Sequence, residues 1–485
     1  MDQNSYEPAL CELFEEVLGV GNVDPRHSFL ALGGHSLLVA RLISRARTVL
    51  GAELEFADVF RAPSAADLSK VIAHRRGSRR PMPLPVRRPA YLPASGTQRR
   101  LWREYRLTSG RPDLHVPSAT RISGELNLPA FETALGDLTT RHESLRTVFD
   151  EAAGQPWQRV LAAETARPRL RVADTTEDDL AEALAAATAR RFDLARDPPI
   201  RACLYRLTPY ESVLLLVMHR IAFDGRSGNP LLRDLAAAYT ARCEDSPPRW
   251  APLPAQYADY AVWQEQDLGP GHDHQSRRHR QLDYWRRALD GAPARLRLSL
   301  GEPADQAGAS AAGDASQVTF RLSASTGRRL ADLARQNQVT LFMVIHAAIA
   351  ALLTRYGAGT DVPVETVAAR RASGGLDELV GNFANPLVLR VDTSGDPTFR
   401  ELLRRVRETD VAAYDHQDIP FDQVAAALVA GNQPAASPLS NIRLLIEDSS
   451  QGTLQLTGTR TRPEPVIAGQ PAEPDLAFTF RTGHG

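Results

Sequence analysis

In the first part of the chain, Leu10, Leu13, Phe14, Val17 and Leu18 recur at helical spacing with acidic residues on the other face, which predicts an amphipathic helix. A loop over 19–32, punctuated by Pro25 and Ser28, leads to a second apolar stripe that starts at Ser36 and carries Leu37, Leu38, Leu42, Ile43 and Val49. The short run Phe56, Ala57, Asp58, Val59 and Phe60 and a Ser64-capped segment over 65–73 complete a small four-helix bundle. Further on the pattern mixes the two periods. Helices are predicted over 128–138, 230–242, 282–289, 327–337 and 341–356, and strands over 213–218, 318–322 and 475–481. Strand, helix and helix in both halves predict two similar α/β lobes with a cleft between them.

One apolar run, Val213 to Met218, feeds directly into His219, Arg220, Asp224 and Gly225. A buried strand that ends in a polar turn is how a scaffold presents reactive groups at a cleft. Neighbouring side chains on a strand point to opposite faces, so if Arg220 faces the cleft, His219 faces away from it, as a core histidine bonded to backbone.

At 485 residues the chain exceeds what one core usually serves. The apolar fraction of 43% and charged fraction of 24% are those of ordinary globular protein. Cys11, Cys203 and Cys243 are too few and too scattered for a disulfide framework or a clustered metal site, and read as reduced structural thiols. There is no apolar run of spanning length and no charged-then-apolar leader, so no membrane partner and a cytoplasmic location are expected. The net charge of −1 gives no reason to expect nucleic acid. Residues 75–89 hold paired arginines among prolines, a composition that stays extended and reads as an interdomain tether. The expected organisation is therefore 1–75, a linker over 76–90, and two lobes over 91–268 and 269–485.

Two groups of motifs connect this pattern to known families. Leu32, Gly33, Gly34, His35 and Ser36 closely resemble the attachment motif of peptidyl carrier proteins. Paired glycines permit a tight turn, and a phosphate esterified to Ser36 would sit at a helix N-terminus among free backbone N–H groups. The stretch from His219 to Gly225 is similar by spacing to the His-His-x-x-x-Asp-Gly motif of condensation domains of nonribosomal peptide synthetases, with Arg220 in place of the second His. Further family motifs follow in order: Ser95 to Trp102, Arg141 to Phe149 (with Arg146), Tyr257 to Trp263, Val380 to Leu387 (with Asn385), His416 to Asp422 (with Gln417) and Ser437 to Asn441.

The resemblance implies a peptidyl carrier followed by a condensation domain of two chloramphenicol-acetyltransferase-like lobes in a V shape. It implies 4'-phosphopantetheine on Ser36, a structural ion pair between Arg141 and Asp224, and a site formed by His219, Arg220, Asp224 and Gly225. The implied partners are upstream and downstream modules with adenylation and carrier domains, a phosphopantetheinyl transferase, and aminoacyl or peptidyl thioesters. Family members run on past the strand at 475–481 to a last helix, so the chain is read as trimmed there. The implied reaction is attack of a carrier-bound amine on a thioester. Arginine has donors only and stays protonated, so Arg220 cannot be the general base; it is either tolerated there or an inactivating replacement. The alternative is a condensation-like domain without catalysis, similar to the recruiting domains of glycopeptide synthetases, where Arg also follows the first His and the partner is a cytochrome P450. An epimerase is a third reading, disfavoured by the Gly-Gly-His-Ser variant of the carrier motif.

Overall fold

The computed structural model describes residues 6–74, 86–108, 110–293, 295–298, 317–369, 371, 375–429, 440–448, 452–466 and 475–482. Most of the linker, 75–85, and residues 437–439 of the last motif lie outside them.

The N-terminal bundle consists of α1 (Glu7–Leu18), α2 (Ser36–Leu50), α3 (Phe56–Arg61) and α4 (Ala65–His74). The apolar stripe of α1 closes onto this core, with Leu10, Leu13, Phe14 and Val17 all buried, and Phe14 meets Phe29 of the following loop edge-on at 4.9 Å. Both glycines before Ser36 are required, for different reasons. Gly33 adopts φ +106°, a left-handed conformation, whereas a Cβ on Gly34 would lie 2.4 Å from the Phe29 ring.

The N-terminal lobe runs through β1 (Leu92–Pro93), α5 (Gly96–Leu107), β2 (His115–Ser123), α6 (Leu128–Arg141), β3 (Thr147–Ala152), β4 (Gln155–Val160), β5 (Leu170–Asp174), α7 (Leu180–Ala189), β6 (Ile200–Thr208), β7 (Glu211–His219), α8 (Gly228–Cys243) and α9 (Tyr257–Leu268). The C-terminal lobe contains α10 (Arg277–Ala288), α11 (Ala324–Gln336), α12 (Leu341–Arg355), β8 (Asp361–Ala369), β9 (Ala384–Asp392), α13 (Phe399–Asp415), α14 (Phe421–Val429), β10 (Ile442–Asp448) and β12 (Leu476–Thr482), and β11 (Arg460–Glu464) lies between the last two in the chain. No single helix among the described residues is long and apolar enough to cross a membrane.

The larger N-terminal sheet has the order β11-β2-β7-β6-β5, and β1-β4-β3 form a small sheet beside it. β7 is apolar from Val213 to Met218 because helices cover both faces of its sheet. Leu214, Leu216 and Met218 pack with α6 and α8, while Val213, Leu215 and Val217 pack with α5 and α7. The C-terminal sheet has the order β12-β10-β8-β9, with β8 and β9 antiparallel and the other pairs parallel.

Two expectations are corrected here. The lobes do not divide cleanly at residue 268: β11 returns to the N-terminal sheet and pairs antiparallel with β2, Arg462 opposite Arg121, because the return fills an open edge of that sheet. The strand expected over 318–322 does not form. Val318, Phe320 and Leu322 alternate as a strand would but are exposed and unpaired with any described strand, and alternation without a partner edge makes no ladder.

The bundle rests on the C-terminal lobe, and its core is continuous with that of the lobe. Phe56 of α3 stacks on Tyr414 of α13 with ring centroids 5.0 Å apart. Arg407 donates to the Phe60 carbonyl at 2.7 Å, and the Ala57 amide donates to the Asp415 carboxylate at 3.3 Å.

Candidate active site at the seam between the lobes

β7 ends at His219, and the chain turns through two short 3-10 segments, Arg220–Ala222 and Gly225–Ser227, before α8. By strand alternation His219 shares the face of Val213, Leu215 and Val217, and it lies inside the N-terminal lobe among His115, Phe192 and Tyr105. It is 1% exposed. Its Nδ1 accepts from the Ile221 amide at 3.1 Å, which fixes the neutral tautomer with the proton on Nε2. Burial, reinforced by His115, Arg201 and Arg220, pushes its pKa down to about 3. His219 is thus a neutral core histidine turned away from the seam.

Arg220 points the other way. Its side chain is exposed, yet burial is the largest influence on its guanidinium and depresses it, with Arg443 and Arg100 acting in the same direction against Glu104 and Asp113. An accessible side chain so enclosed stands in a recess, not on a convex surface. Arg443 belongs to β10, Arg100 and Glu104 to α5, so the recess lies between the lobes. No side-chain hydrogen bond or ion pair of Arg220 occurs among the described residues, and its carbonyl accepts from Asn382 Nδ2 at 2.6 Å. Gly225 is exposed, and a Cβ there would meet nothing within 4 Å. Its lack of a side chain is therefore not demanded by the chain's own packing.

Asp224 is fully committed. Its Oδ1 accepts from the amides of Arg226 and Ser227 at 3.1 and 2.9 Å and from Arg371 Nη2 at 2.8 Å. Its Oδ2 accepts from the Phe383 amide at 3.0 Å across the seam. The expected ion pair with Arg141 does not exist. Arg141 ends α6, which packs against α8, and the carboxylate it meets is Asp234 of α8, Nε to Oδ2 at 2.7 Å. Asp224 precedes α8 and faces the other lobe, where Arg371 follows β8. Arg371 also donates to the carbonyls of Leu376 and Leu379 at 2.6 and 2.7 Å and lies over the Phe383 ring. A doubled arginine at 370–371 directly after the strand Asp361–Ala369 was the available signal for this partner.

Ser227, two residues past the motif, is central to the seam. Its Oγ lies 2.8 Å from both Asp224 Oδ1 and the Gly381 carbonyl, and it accepts from the Gly381 amide at 3.1 Å. The remaining motif positions are structural by their contacts. Arg146 donates to the carbonyls of Thr139 and Leu161. Trp263 is buried in an aromatic cluster with Tyr257, Tyr260 and Phe383. Asn385 Nδ2 donates to the carbonyls of Gln417 and Ile419 at 2.9 and 2.8 Å, and its Oδ1 accepts from the Phe421 amide at 3.0 Å. Gln417 is half-buried in that turn.

Ser36 is the first residue of α2, and its hydroxyl is half-buried against the C-terminal lobe, 3.4 Å from Thr340 Oγ1. The turn that Gly33 and Gly34 permit leaves this hydroxyl at an uncapped helix start, an arrangement that fits a phosphate ester. Among the described residues no group of His, Cys, Asp and Glu could hold a metal ion.

Comparison with known proteins matches two regions of the chain. Residues 90–466 match the family model described as Condensation domain, and residues 8–72 match the Phosphopantetheine attachment site. The chain is 46% identical over 454 residues to a dimodular nonribosomal peptide synthase of Bacillus subtilis (strain 168), an alignment covering 93% of this chain and 19% of that protein. It is 44% identical over 463 residues to CymA, a probable non-canonical nonribosomal peptide synthetase of Salinispora arenicola (strain CNS-205), covering 95% of this chain and 6% of that protein. Among solved structures, the complex of the X-domain and OxyB from teicoplanin biosynthesis aligns with TM-score 0.76 and 35% identity, covering 84% of this chain and 88% of that one.

Proposed function

Because the chain belongs to the condensation-domain family and carries a phosphopantetheine attachment unit ahead of that domain, we propose that it is a carrier–condensation unit of a nonribosomal peptide synthetase that forms a peptide bond at the seam beside Arg220. The observation that carries this reading is the seam itself: Asp224, Ser227, Arg371 and Gly381 lock the lobes together, Gly225 opens onto free space, and Arg220, five residues before it, has no side-chain partner among the described residues.

When bound, the arm supplies a thiol that holds the acyl group as an activated thioester. Ser36 would hold it, at the start of α2. Thioester and amine need little more than attack geometry and exclusion of water, which the two lobes provide. Arg220 has donors only; its part is to stabilise negative charge that develops on the acyl oxygen as the C–N bond forms and the C–S bond breaks. Neither His219 nor Asp224 takes the amine proton: His219 is turned inward and Asp224 has both oxygens occupied. The proton leaves to the departing thiolate or to water.

The test loads Ser36 with a donor aminoacyl arm, supplies an amine on an acceptor thioester, and compares the chain with Arg220→His and Arg220→Met. Amide formation above background, slower in the Met variant and at least about tenfold faster in the His variant, is expected, general-base assistance being worth about that or more. No amide from any form would end this reading. A second reading would then lead: recruitment of a tailoring enzyme such as a cytochrome P450. It is favoured by the likeness to the X-domain structure and by the missing base, and binding of such a partner without turnover would support it.

A further inference from the structure

The start of α12 faces the carrier serine. α2 and α12 are both 15 residues long, and the Ser36 hydroxyl, at the first turn of one, donates to Thr340, the N-cap of the other, at 3.4 Å. Tyr414 of α13 interacts with the same hydroxyl. Two helix starts therefore converge on one oxygen, each carrying partial positive charge and free N–H groups.

Those donors are not used up. Thr340 Oγ1 accepts from the Met343 amide at 3.2 Å and the Thr340 carbonyl accepts from Val344, but the amides of Leu341 and Phe342 have no acceptor among the described residues. On the other side His35, the N-cap of α2, gives no side-chain cap. Two carboxyls of α13 flank Tyr414 in sequence: Asp410, buried and bonded to His346 Nδ1 at 3.1 Å, and Asp415, bonded to the Ala57 amide. Burial raises both toward the protonated form, so they repel an anion less than two free carboxylates would. The cationic end of the carrier interface, Arg407, is spent on Phe60 of α3.

We propose that the N-terminus of α12, with Thr340, is the element of the C-terminal lobe that recognises the phosphate joining the arm to Ser36, so that modification strengthens docking of the carrier on this lobe. The inference rests on Ser36 being the attachment residue. It adds that the lobe distinguishes a modified carrier from an unmodified one at the phosphate, before anything on the thiol is read.

Hydrogen exchange on the full chain tests this without turnover. The unmodified protein is compared with protein treated with coenzyme A and a phosphopantetheinyl transferase, the modification being verified by intact mass. Amides of α3 and of the first turn of α12 are expected to exchange about threefold to tenfold more slowly after modification, the range for an anion at a partly buried helix start. Two variants remove the proposed donors, one of them together with the cap that Thr340 gives Met343. Leu341→Pro deletes one free N–H at a position where proline is tolerated, and Thr340→Val deletes the hydroxyl; Thr340→Ser restores it. Measured for each variant against its own unmodified form, the slowing should shrink in the first two and remain in the third, whose hydroxyl keeps the cap. A mass shift with no change in exchange, or a change of equal size in every variant, overturns the phosphate cradle. No mass shift overturns Ser36 as the attachment residue, which is a separate failure.

Discussion

Arg371 donates to Asp224 Oδ1 at 2.8 Å with both side chains buried, at 1% and 6% exposure. The pair joins the turn after β7 to the segment after β8 and so ties one lobe to the other. Removing one member of a buried pair strands the other charge. Arg371→Met is expected to lose about 3–5 kcal/mol in chemical denaturation. Arg141→Met should cost less, because Asp234 keeps Arg233 at 2.9 Å and His142 at 2.9 Å. Equal losses would contradict this assignment of partners.

Asp234 gives a prediction about acid. Burial alone would raise its carboxyl, but hydrogen bonds from His142, Arg141 and Arg233 prevail and hold it at about 2, against an ordinary 3.8. His142 serves as a neutral donor, since burial keeps its own pKa low. A carboxyl depressed in the folded state contributes stability above its unfolded pKa and loses it as pH falls through the folded one. The contribution, roughly 2 kcal/mol for a shift of this size, should disappear between about pH 4 and pH 2. In Asp234→Asn that part of the slope in a pH series of denaturation midpoints should be missing.

Docking of the carrier should respond to pH with the opposite sign. Burial, then Glu55 and more weakly Asp58, pushes Asp415 up to about 7, although the backbone amides of Ala57 and Phe56 partly offset this. A carboxyl raised by docking favours the docked state when protonated, so docking should weaken as pH rises from about 4 to 7 and level off above. A distance measured between probes on α1 and α11 should lengthen over that range. Asp415→Asn should flatten the dependence and keep the carrier docked at pH 8.

The glycines of the seam separate packing from chemistry. A Cβ on Gly96 would lie 2.2 Å from Pro420 Cβ, and one on Gly381 would lie 2.1 Å from Tyr257 Cδ2. Alanine at either position should cost about 1–3 kcal/mol by forcing the lobes apart. Gly225→Ala meets nothing and should melt with the parent protein, yet slow amide formation by filling open space in the turn after β7. A lowered melting temperature for Gly225→Ala would show that the space belongs to the fold instead.

Local order was legible in the sequence wherever a single period governed it. The stripe of α1, the unbroken β7 and the Gly-Gly turn before Ser36 each follow from the side chains at that place. The alternation of β7 was enough to put His219 inside and Arg220 outside, because a strand has only two faces. Phe320 shows the limit of that signal: its neighbours alternate as in a strand, but a strand exists only where another edge supplies its hydrogen bonds.

What the sequence by itself determined, then, is the helical stripe of α1, the buried run that becomes β7, a carrier unit followed by a condensation domain, and the absence of a base at position 220. Only the tertiary structure decided which arginine neutralises Asp224, that β11 crosses back to the first lobe, that Ser227 and Gly381 close the seam, and that Ser36 faces the start of α12. These are contacts between residues far apart in the chain. A buried carboxylate requires a cation, and its own sequence does not say which one; the packing of α6 on α8 takes Arg141 to Asp234 and leaves Arg371 for Asp224.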